Sequence, residues 1–107
     1  MDIQKMMQQA QIMQDRMQDL QAELTVTEVQ GQSGGGMVNV TITCGGMVKA
    51  LKISPEVVNS DDKETLEDLV IAAFNNAREN ADELMAVRTQ ELMKELGLPA
   101  GASLPGM

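Results

Sequence analysis

The feature that most constrains this chain is an apolar seam along its first 24 residues. The seam residues recur at alternating spacings of three and four: Ile3, Met6, Ala10, Met13, Met17, Leu20 and Leu24. That heptad spacing places them on one side of a helix, and residues 1–30 contain no Gly or Pro to interrupt it. A helix over residues 2–24 would be roughly 33 Å long. A chain of 107 residues cannot enclose such a helix, so it must lie along another long element or project towards a partner.

Composition predicts one small domain with an aliphatic interior. The chain has 43% hydrophobic residues but a single aromatic one, Phe74, so aliphatic and Met side chains must fill the core. The longest apolar run, residues 69–74, is far too short to span a bilayer, and the first residues do not resemble a signal peptide. One cysteine, Cys44, excludes an intrachain disulfide and fits a reducing compartment. We therefore expect a cytoplasmic protein without membrane contact.

Charge is spread unevenly along the chain. The net charge is -8, of which residues 1–54 carry -1 and residues 55–107 carry -7. A polyphosphate repels so acidic a protein as a whole, so contact with nucleic acid requires a local basic surface. The nearly neutral N-terminal half is the favoured place for one.

Three strands are predicted after the first helix. Residues 25–29 are β-branched and mixed, and residues 31–36 are too Gly-rich for any regular element, which predicts a flexible turn. Residues 37–44 alternate, with Val38, Val40, Ile42 and Cys44 on the apolar side. Residues 47–53 follow a Gly-Gly turn, but neither of their faces is wholly apolar, which suits an edge or an interface. These strands predict a three-stranded antiparallel sheet.

A second long helix is predicted to follow Pro55, which ends the third strand. Ser60 or Asp61 can cap it, with Asp61 and Glu64 resembling a capping box. A broad apolar stripe of helical period then runs through Leu66, Leu69, Val70, Ala73, Phe74, Ala77, Ala81, Leu84 and Met85. The fold class is therefore α/β, of the α+β type, with one domain over residues 1–96 and a flexible C-terminal tail over residues 97–107.

The residue types argue against an enzyme. Cys44 has no histidine anywhere in the chain to act as its base, and the Met-rich seam lacks the His or Cys ligands that normally accompany Met at a metal. The acidic residues near the second helix lack calcium-loop spacing, and the Gly34-Gly35-Gly36 run lacks the following Lys and helix of a phosphate-binding loop. We predict no catalytic residue, no metal, no cofactor and no small-molecule substrate.

Several segments in combination resemble the YbaB/EbfC family of small bacterial nucleoid-associated proteins. The resemblance covers nearly the whole chain, although each segment alone is weak evidence. The segments are MMQQAQIMQDRMQ at 6–18, the Gly-rich hairpin, ISPE at 53–56, DDKETLEDLV at 61–70, AAFNNA at 72–77 and GLP at 97–99.

The resemblance implies a tweezer-like homodimer that binds DNA in the nucleoid. Members of the family are similar in pairing their central strands and extending helices outwards. With no Trp or Tyr to stack on bases, duplex DNA is a better target than a single strand. Each cation appears twice in a dimer and can converge across the two-fold axis. The candidate DNA-binding residues are Lys5, Arg16, Lys49, Lys52 and Arg88.

Two alternatives stand beside this prediction. Each of those cations is also compatible with an ordinary solvated surface, in which either Arg88 with Glu91 or Glu91 with Lys94 forms an ion pair on one helix. The protein could also be a chaperone-like or scaffold protein whose helical arms clamp a polypeptide. Exposed Met side chains would favour the second alternative, because Met adapts to varied partners.

Overall fold

The structure, a computed structural model, describes residues 2–59 and 61–97 and confirms the predicted order of helix, sheet and helix. Helix α1 spans Ile3–Val26, and strands β1, β2 and β3 span Glu28–Ser33, Val38–Thr43 and Val48–Ile53. A 3-10 turn lies between β1 and β2, and the short helix α2, Pro55–Val58, precedes the long helix α3, Lys63–Glu95. The strands form one antiparallel sheet in the order β1-β2-β3. Apart from Gly97, the predicted tail lies outside the described residues.

Helix α1 is the predicted seam helix. Asp2 caps it, because its side chain accepts a hydrogen bond from the Gln4 backbone N–H at 3.1 Å. The helix ends two residues later than predicted, because Thr25 and Val26, predicted as the start of the first strand, belong to its last turn. The Thr25 hydroxyl donates to the Gln21 carbonyl at 2.8 Å, which is a bond made within helical geometry. The first strand therefore begins at Glu28, and its prediction over residues 25–29 was wrong at both ends.

Gly31 explains why β1 continues into the predicted Gly-rich turn. It is buried on the face of β1 that α3 covers. A Cβ built on Gly31 would lie 2.3 Å from the backbone nitrogen of Ala77 and 2.4 Å from the carbonyl oxygen of Ala73. A hydrogen in place of a side chain lets the α3 backbone come this close to the strand. Gly31 is thus part of the core, and only the 3-10 turn Gly34–Gly36 makes the bend.

Strand β2 supplies the core as predicted, whereas β3 differs from its sequence pattern. Val38, Val40 and Ile42 are buried. In the β2–β3 register Thr41 pairs with Ala50 but Ile42 pairs with Val48, so Lys49 is an extra residue in a bulge. The bulge shifts the alternation by one residue and brings Val48 onto the same face as Leu51 and Ile53. The mixed pattern of β3 therefore conceals one apolar face.

Helix α3 begins one residue later than predicted. Asp62 is its N-cap, accepting hydrogen bonds at 3.0 Å from the Thr65 backbone N–H and at 2.5 Å from its hydroxyl. The prediction of Asp61 as cap was therefore wrong, and Ser60 lies outside the described residues. Ala73 and Ala77 are fully buried against the sheet. The helix ends at Glu95, two residues before Gly97, whose φ of 76° reverses the chain.

The seam of α1 packs mainly against the C-terminal part of α3, at and beyond the end of the predicted apolar stripe. Leu20 and Leu24 pack with Leu92, and Met85 and Leu96 join the cluster from α3. The earlier part of the stripe covers the sheet instead. The first three turns of α1 extend past this contact, and the described chain measures 71 × 22 × 18 Å. Its radius of gyration of 19.4 Å is well above the roughly 13 Å of a compact chain this long.

Candidate nucleic-acid interface

The outer edge of β1 is closed by side chains of α3. Two polar backbone groups of β1 point away from β2 and would otherwise be open to another strand. The Gln32 N–H donates to the Asn76 side-chain oxygen at 3.0 Å, and the Asn80 side-chain nitrogen donates to the Gln30 carbonyl at 2.8 Å. Ser33 adds a third link, because its hydroxyl donates to the Leu69 carbonyl at 2.5 Å. These contacts leave β1 poorly suited to pairing with a second chain.

The outer edge of β3 is open. The antiparallel register turns the backbone groups of Ala50 and Lys52 towards β2, so those of Leu51 and Ile53 point outwards. Within the part of the chain that the structure describes, no strand or helix covers this edge. Leu51 is 44% exposed and Val48 is 53% exposed. An apolar strand with an unpaired edge is a surface ready to pair with another strand.

The structure places the five predicted cations on three separate elements. Lys49 and Lys52 lie on β3, Lys5 lies near the start of α1, and all three are exposed. None of these lysines forms an ion pair with another described residue. The structure does not bring the lysines of β3 together with Lys5 in one protomer. The open edge of β3 therefore holds the one cluster of unpaired candidate cations among the described residues.

Arg16 and Arg88 are instead engaged between the two long helices. Arg16 on α1 forms an ion pair with Glu95 on α3. Arg88 on α3 reaches Glu23 on α1 at 2.8 Å and lies 3.8 Å from Glu91 on its own helix. The hydrogen bond and charge of Glu23 raise the pKa of Arg88 above its usual value. Both guanidinium groups thus help hold α1 against α3, and the predicted ion pair of Arg88 with Glu91 is confirmed.

The absence of acidic residues from the sheet region was not predicted, because the net charge was compared only between the two halves of the chain. Residues 29–55, which include nearly the whole sheet, contain two lysines and no acidic residue. The rest of the chain holds six basic and sixteen acidic residues. A window of the length of the sheet would have revealed this contrast from the sequence. No sequence pattern could have predicted that Asn76 and Asn80 bind the edge of β1, because these contacts depend on how α3 crosses the strand.

Cys44 is a half-buried thiol between the two apolar clusters. It contacts the core of the sheet on one side and the cluster of α1 and α3 on the other. Burial, with a smaller contribution from the charge of Asp82, raises the pKa of the Cys44 thiol. A raised pKa keeps the sulfur protonated and unreactive. Cys44 is less buried than its place on the apolar side predicted, whereas Thr43, its polar neighbour in the alternating pattern, is buried.

Two further properties of the described residues bear on the kind of site. Across residues 2–59 and 61–97 no helix is long and apolar enough to cross a membrane. In the same residues no group of three or more His, Cys, Asp or Glu side chains converges as metal ligands would. The features that remain are an open strand edge, two lysines beside it and an exposed polar sheet face.

Known proteins with similar sequences share the length of this chain. The model of the YbaB/EbfC DNA-binding family matches residues 1–96. A nucleoid-associated protein of Methylocella silvestris is 44% identical over 97% of each chain. One of Nocardia farcinica is 47% identical over 99% of this chain and 91% of its own. A crystal structure of an uncharacterised Helicobacter pylori protein superposes with a TM-score of 0.67 at 25% identity, covering 91% of this chain and 99% of the other.

Proposed function

This chain belongs to the YbaB/EbfC DNA-binding family, and we propose that it binds duplex DNA as a homodimer. The family is one of DNA-binding proteins rather than enzymes. The curated relatives are named nucleoid-associated proteins, which supports a place of action at the bacterial nucleoid. Binding there would influence nucleoid organisation or gene expression.

The observation that best supports a dimer is the open edge of β3. Its outward backbone groups at Leu51 and Ile53 can pair with the same groups of a second β3 related by a two-fold axis. The exposed side chains of Met47, Val48 and Leu51 would then be covered, which removes apolar surface from water. Two three-stranded sheets would become one continuous sheet of six strands.

Dimerisation through β3 would concentrate positive charge at the two-fold axis. Lys49 and Lys52 of both protomers would lie on the two central strands, within the acid-free segment of residues 29–55. Four lysines in one place suit a polyanion with regularly spaced phosphates. Lys5 at the tip of α1 would add a more distant contact from each arm. Arg16 and Arg88 would contribute only in competition with their glutamate partners.

Duplex DNA is the form of nucleic acid that the side chains suit. Proteins that bind single strands stack bases on aromatic rings. This chain has no Trp or Tyr, and its one Phe, Phe74, is half-buried against the core of the sheet. Lysine contacts to phosphate need no stacking platform and work on a duplex.

Salt-titrated binding to a fluorescent DNA duplex tests the proposal directly. We expect affinity to fall steeply with salt and the slope to decrease by about one for each lysine contact removed. Lys49→Gln with Lys52→Gln is the test variant. Lys63→Gln with Lys94→Gln removes the same charge from α3 and is the matched control. Absence of duplex binding even at low salt would refute the proposal.

The dimer has its own test, because Leu51 has a matched control in the same chain. Leu51 on β3 and Val87 on α3 are each 44% exposed. We expect Leu51→Asp to give a monomer in analytical ultracentrifugation, because it places charges across the β3 pair. Val87→Asp should leave the dimer intact. A monomeric wild-type protein, or equal effects of the two variants, would contradict pairing through β3.

The exposed tip of α1 favours a second candidate function, the clamping of a polypeptide. Ile3 is 71% exposed and Met7 is 66% exposed, with Met6 and Ile12 also exposed on this part of α1. Exposed Met side chains suit varied apolar partners. The measurement is whether the protein suppresses aggregation of reduced insulin, and whether Met6→Gln with Met7→Gln abolishes this effect. No suppression by the wild type would exclude the clamp.

A further inference from the structure

The face of the sheet that points away from α3 carries a flat set of polar side chains. The strand register aligns these side chains in two rows, one of Gln32, Asn39 and Lys52 and the other of Gln30, Thr41 and Ala50. Among the described strand residues, the same face has one acidic residue, Glu28, which pairs with Thr43 at the start of β1. We name the six residues of the two rows the open sheet face. All are exposed except Thr41, which is half-buried. No described helix lies over them, because α3 covers the other face.

We propose that the open sheet face is a contact surface for duplex DNA. In this arrangement Lys52 binds a phosphate, while the amides of Gln30 and Gln32 reach phosphates or the edges of bases in a groove. The inference rests on the proposed function, because it takes duplex binding and the β3-paired dimer as given. It adds a surface to that function, since the sheet as well as the helical arms then touches DNA.

Charge complementarity supports DNA as the occupant of this face. The acid-free segment of residues 29–55 contains all of β2 and β3, five of the six residues of β1 and the whole open sheet face. Nearly all the acidic side chains lie on the helices, whose fields repel a polyanion. A DNA duplex approaching this protein therefore meets the least repulsion over the sheet.

The side chains of the face have the hydrogen-bonding chemistry that a groove requires. A glutamine amide offers both a donor and an acceptor, which match the edge of adenine or the oxygens of the backbone. Gln30 and Gln32 use their backbone groups, not their amides, in the contacts with Asn80 and Asn76. The Asn39 amide is different, because it donates to the Gly36 carbonyl at 2.7 Å and holds the turn.

The dimensions of the paired sheet also fit a duplex. Neighbouring strands lie about 4.8 Å apart, so six strands would span roughly 24 Å. The major groove of DNA is about 12 Å wide and admits a two-stranded ribbon, so the two central strands could enter it while the outer strands lie against the flanking phosphates. Lys52 of the two protomers would lie near the centre of this span, with Gln30 and Gln32 towards each side.

A charge-matched pair of variants tests the inference by fluorescence anisotropy on a DNA duplex. Gln30→Glu with Gln32→Glu adds two negative charges to the open sheet face. Asn75→Asp with Gln90→Glu adds the same charge to exposed positions on α3. A phosphate contact is worth about eightfold in affinity at 0.1 M salt, from a slope near -0.9 per phosphate. We expect the sheet variant to lose at least about eightfold more affinity than the control.

The outcomes separate this inference from the function on which it rests. If the wild type binds duplex DNA and both variants weaken it equally, the sheet contact is refuted and the proposed function stands. The same conclusion follows if only Lys5→Gln lowers affinity. If the sheet variant dissociates the dimer, a second copy covers the face, and both the sheet contact and the pairing through β3 are refuted. If the wild type does not bind duplex DNA, both are refuted. Circular dichroism of each variant checks that it remains folded.

Discussion

The two edges of the sheet are built in opposite ways. At β1, the side chains of Asn76 and Asn80 form hydrogen bonds with the outward N–H of Gln32 and the outward carbonyl of Gln30. At β3, the outward groups of Leu51 and Ile53 meet no described residue, and the side chains beside them are apolar and exposed. A sheet with two open edges would add further copies without limit. One closed edge and one open edge would restrict the proposed assembly to a pair.

The two edges also differ in what constrains their residues. The closed edge depends on α3 approaching β1 closely, which fixes small residues such as Gly31, Ala73 and Ala77. The open edge depends on nothing but β2, which leaves β3 free to carry two lysines. The predictions below therefore disturb the two edges separately and ask whether the effects stay separate.

The largest effect is expected where α3 meets β1. Gly31→Ala would force a methyl group into the backbone of α3, within 2.3 Å of the Ala77 nitrogen. The helix must move away, so we expect the free energy of unfolding to fall by about 3 kcal/mol. Chemical denaturation followed by circular dichroism measures this. Gln30→Ala, on the opposite face of the same strand, is the control and should cost far less.

The second prediction concerns two neighbouring residues of β3. Ala50→Pro removes an N–H that the register turns towards β2, whereas Leu51→Pro removes one that points outwards. Because the first change leaves a ladder acceptor unpaired, Ala50→Pro should destabilise the protomer by about 2 kcal/mol more than Leu51→Pro. Leu51→Pro should instead abolish the dimer. Denaturation and sedimentation of both variants decide this, and equal destabilisation would show that the assigned register of β3 is wrong.

The third prediction opens the closed edge. Asn76→Ala with Asn80→Ala removes two exposed hydrogen bonds between α3 and β1 and should lower the free energy of unfolding by about 1 kcal/mol. It should also produce species larger than a dimer in sedimentation, because β1 can then pair. Asn75→Ala, one residue before Asn76 and exposed, should do neither. If the double variant remains an unaltered dimer, the amides are not what protects this edge.

These edges show which parts of the structure the sequence could predict. The long helices and β2 follow from periodic apolar residues, so their positions were predicted within a few residues. The path of β1 through Gly31 was not, because a glycine is a turn signal locally and a packing requirement only when α3 lies against it. The bulge at Lys49 was also beyond prediction, since its effect on the pattern of β3 depends on the register with β2. The ion pairs of Arg16 and Arg88 could not be predicted either, because they depend on how α1 and α3 lie against each other.

The smallest effect is expected from the cap of α3, the helix whose side chains close the edge of β1. Hydrogen bonds from the Thr65 hydroxyl and backbone lower the pKa of Asp62 below its ordinary value of about 3.8. Because the folded state favours the carboxylate, this contribution to stability is complete above the ordinary pKa and is lost as the pH falls through the lowered one.

We therefore compare the wild type with Asp62→Asn, which can still accept a hydrogen bond but does not titrate. The wild type should be slightly more stable at about pH 6, and the difference should shrink as the pH falls below the ordinary pKa of an aspartate. Thermal unfolding of the two proteins across this range measures the difference. A difference that stays constant with pH would mean that the charge of Asp62 does not stabilise α3. A change in dimer affinity with the same pH dependence would contradict the separation of the two edges, since Asp62 and β3 lie on different elements.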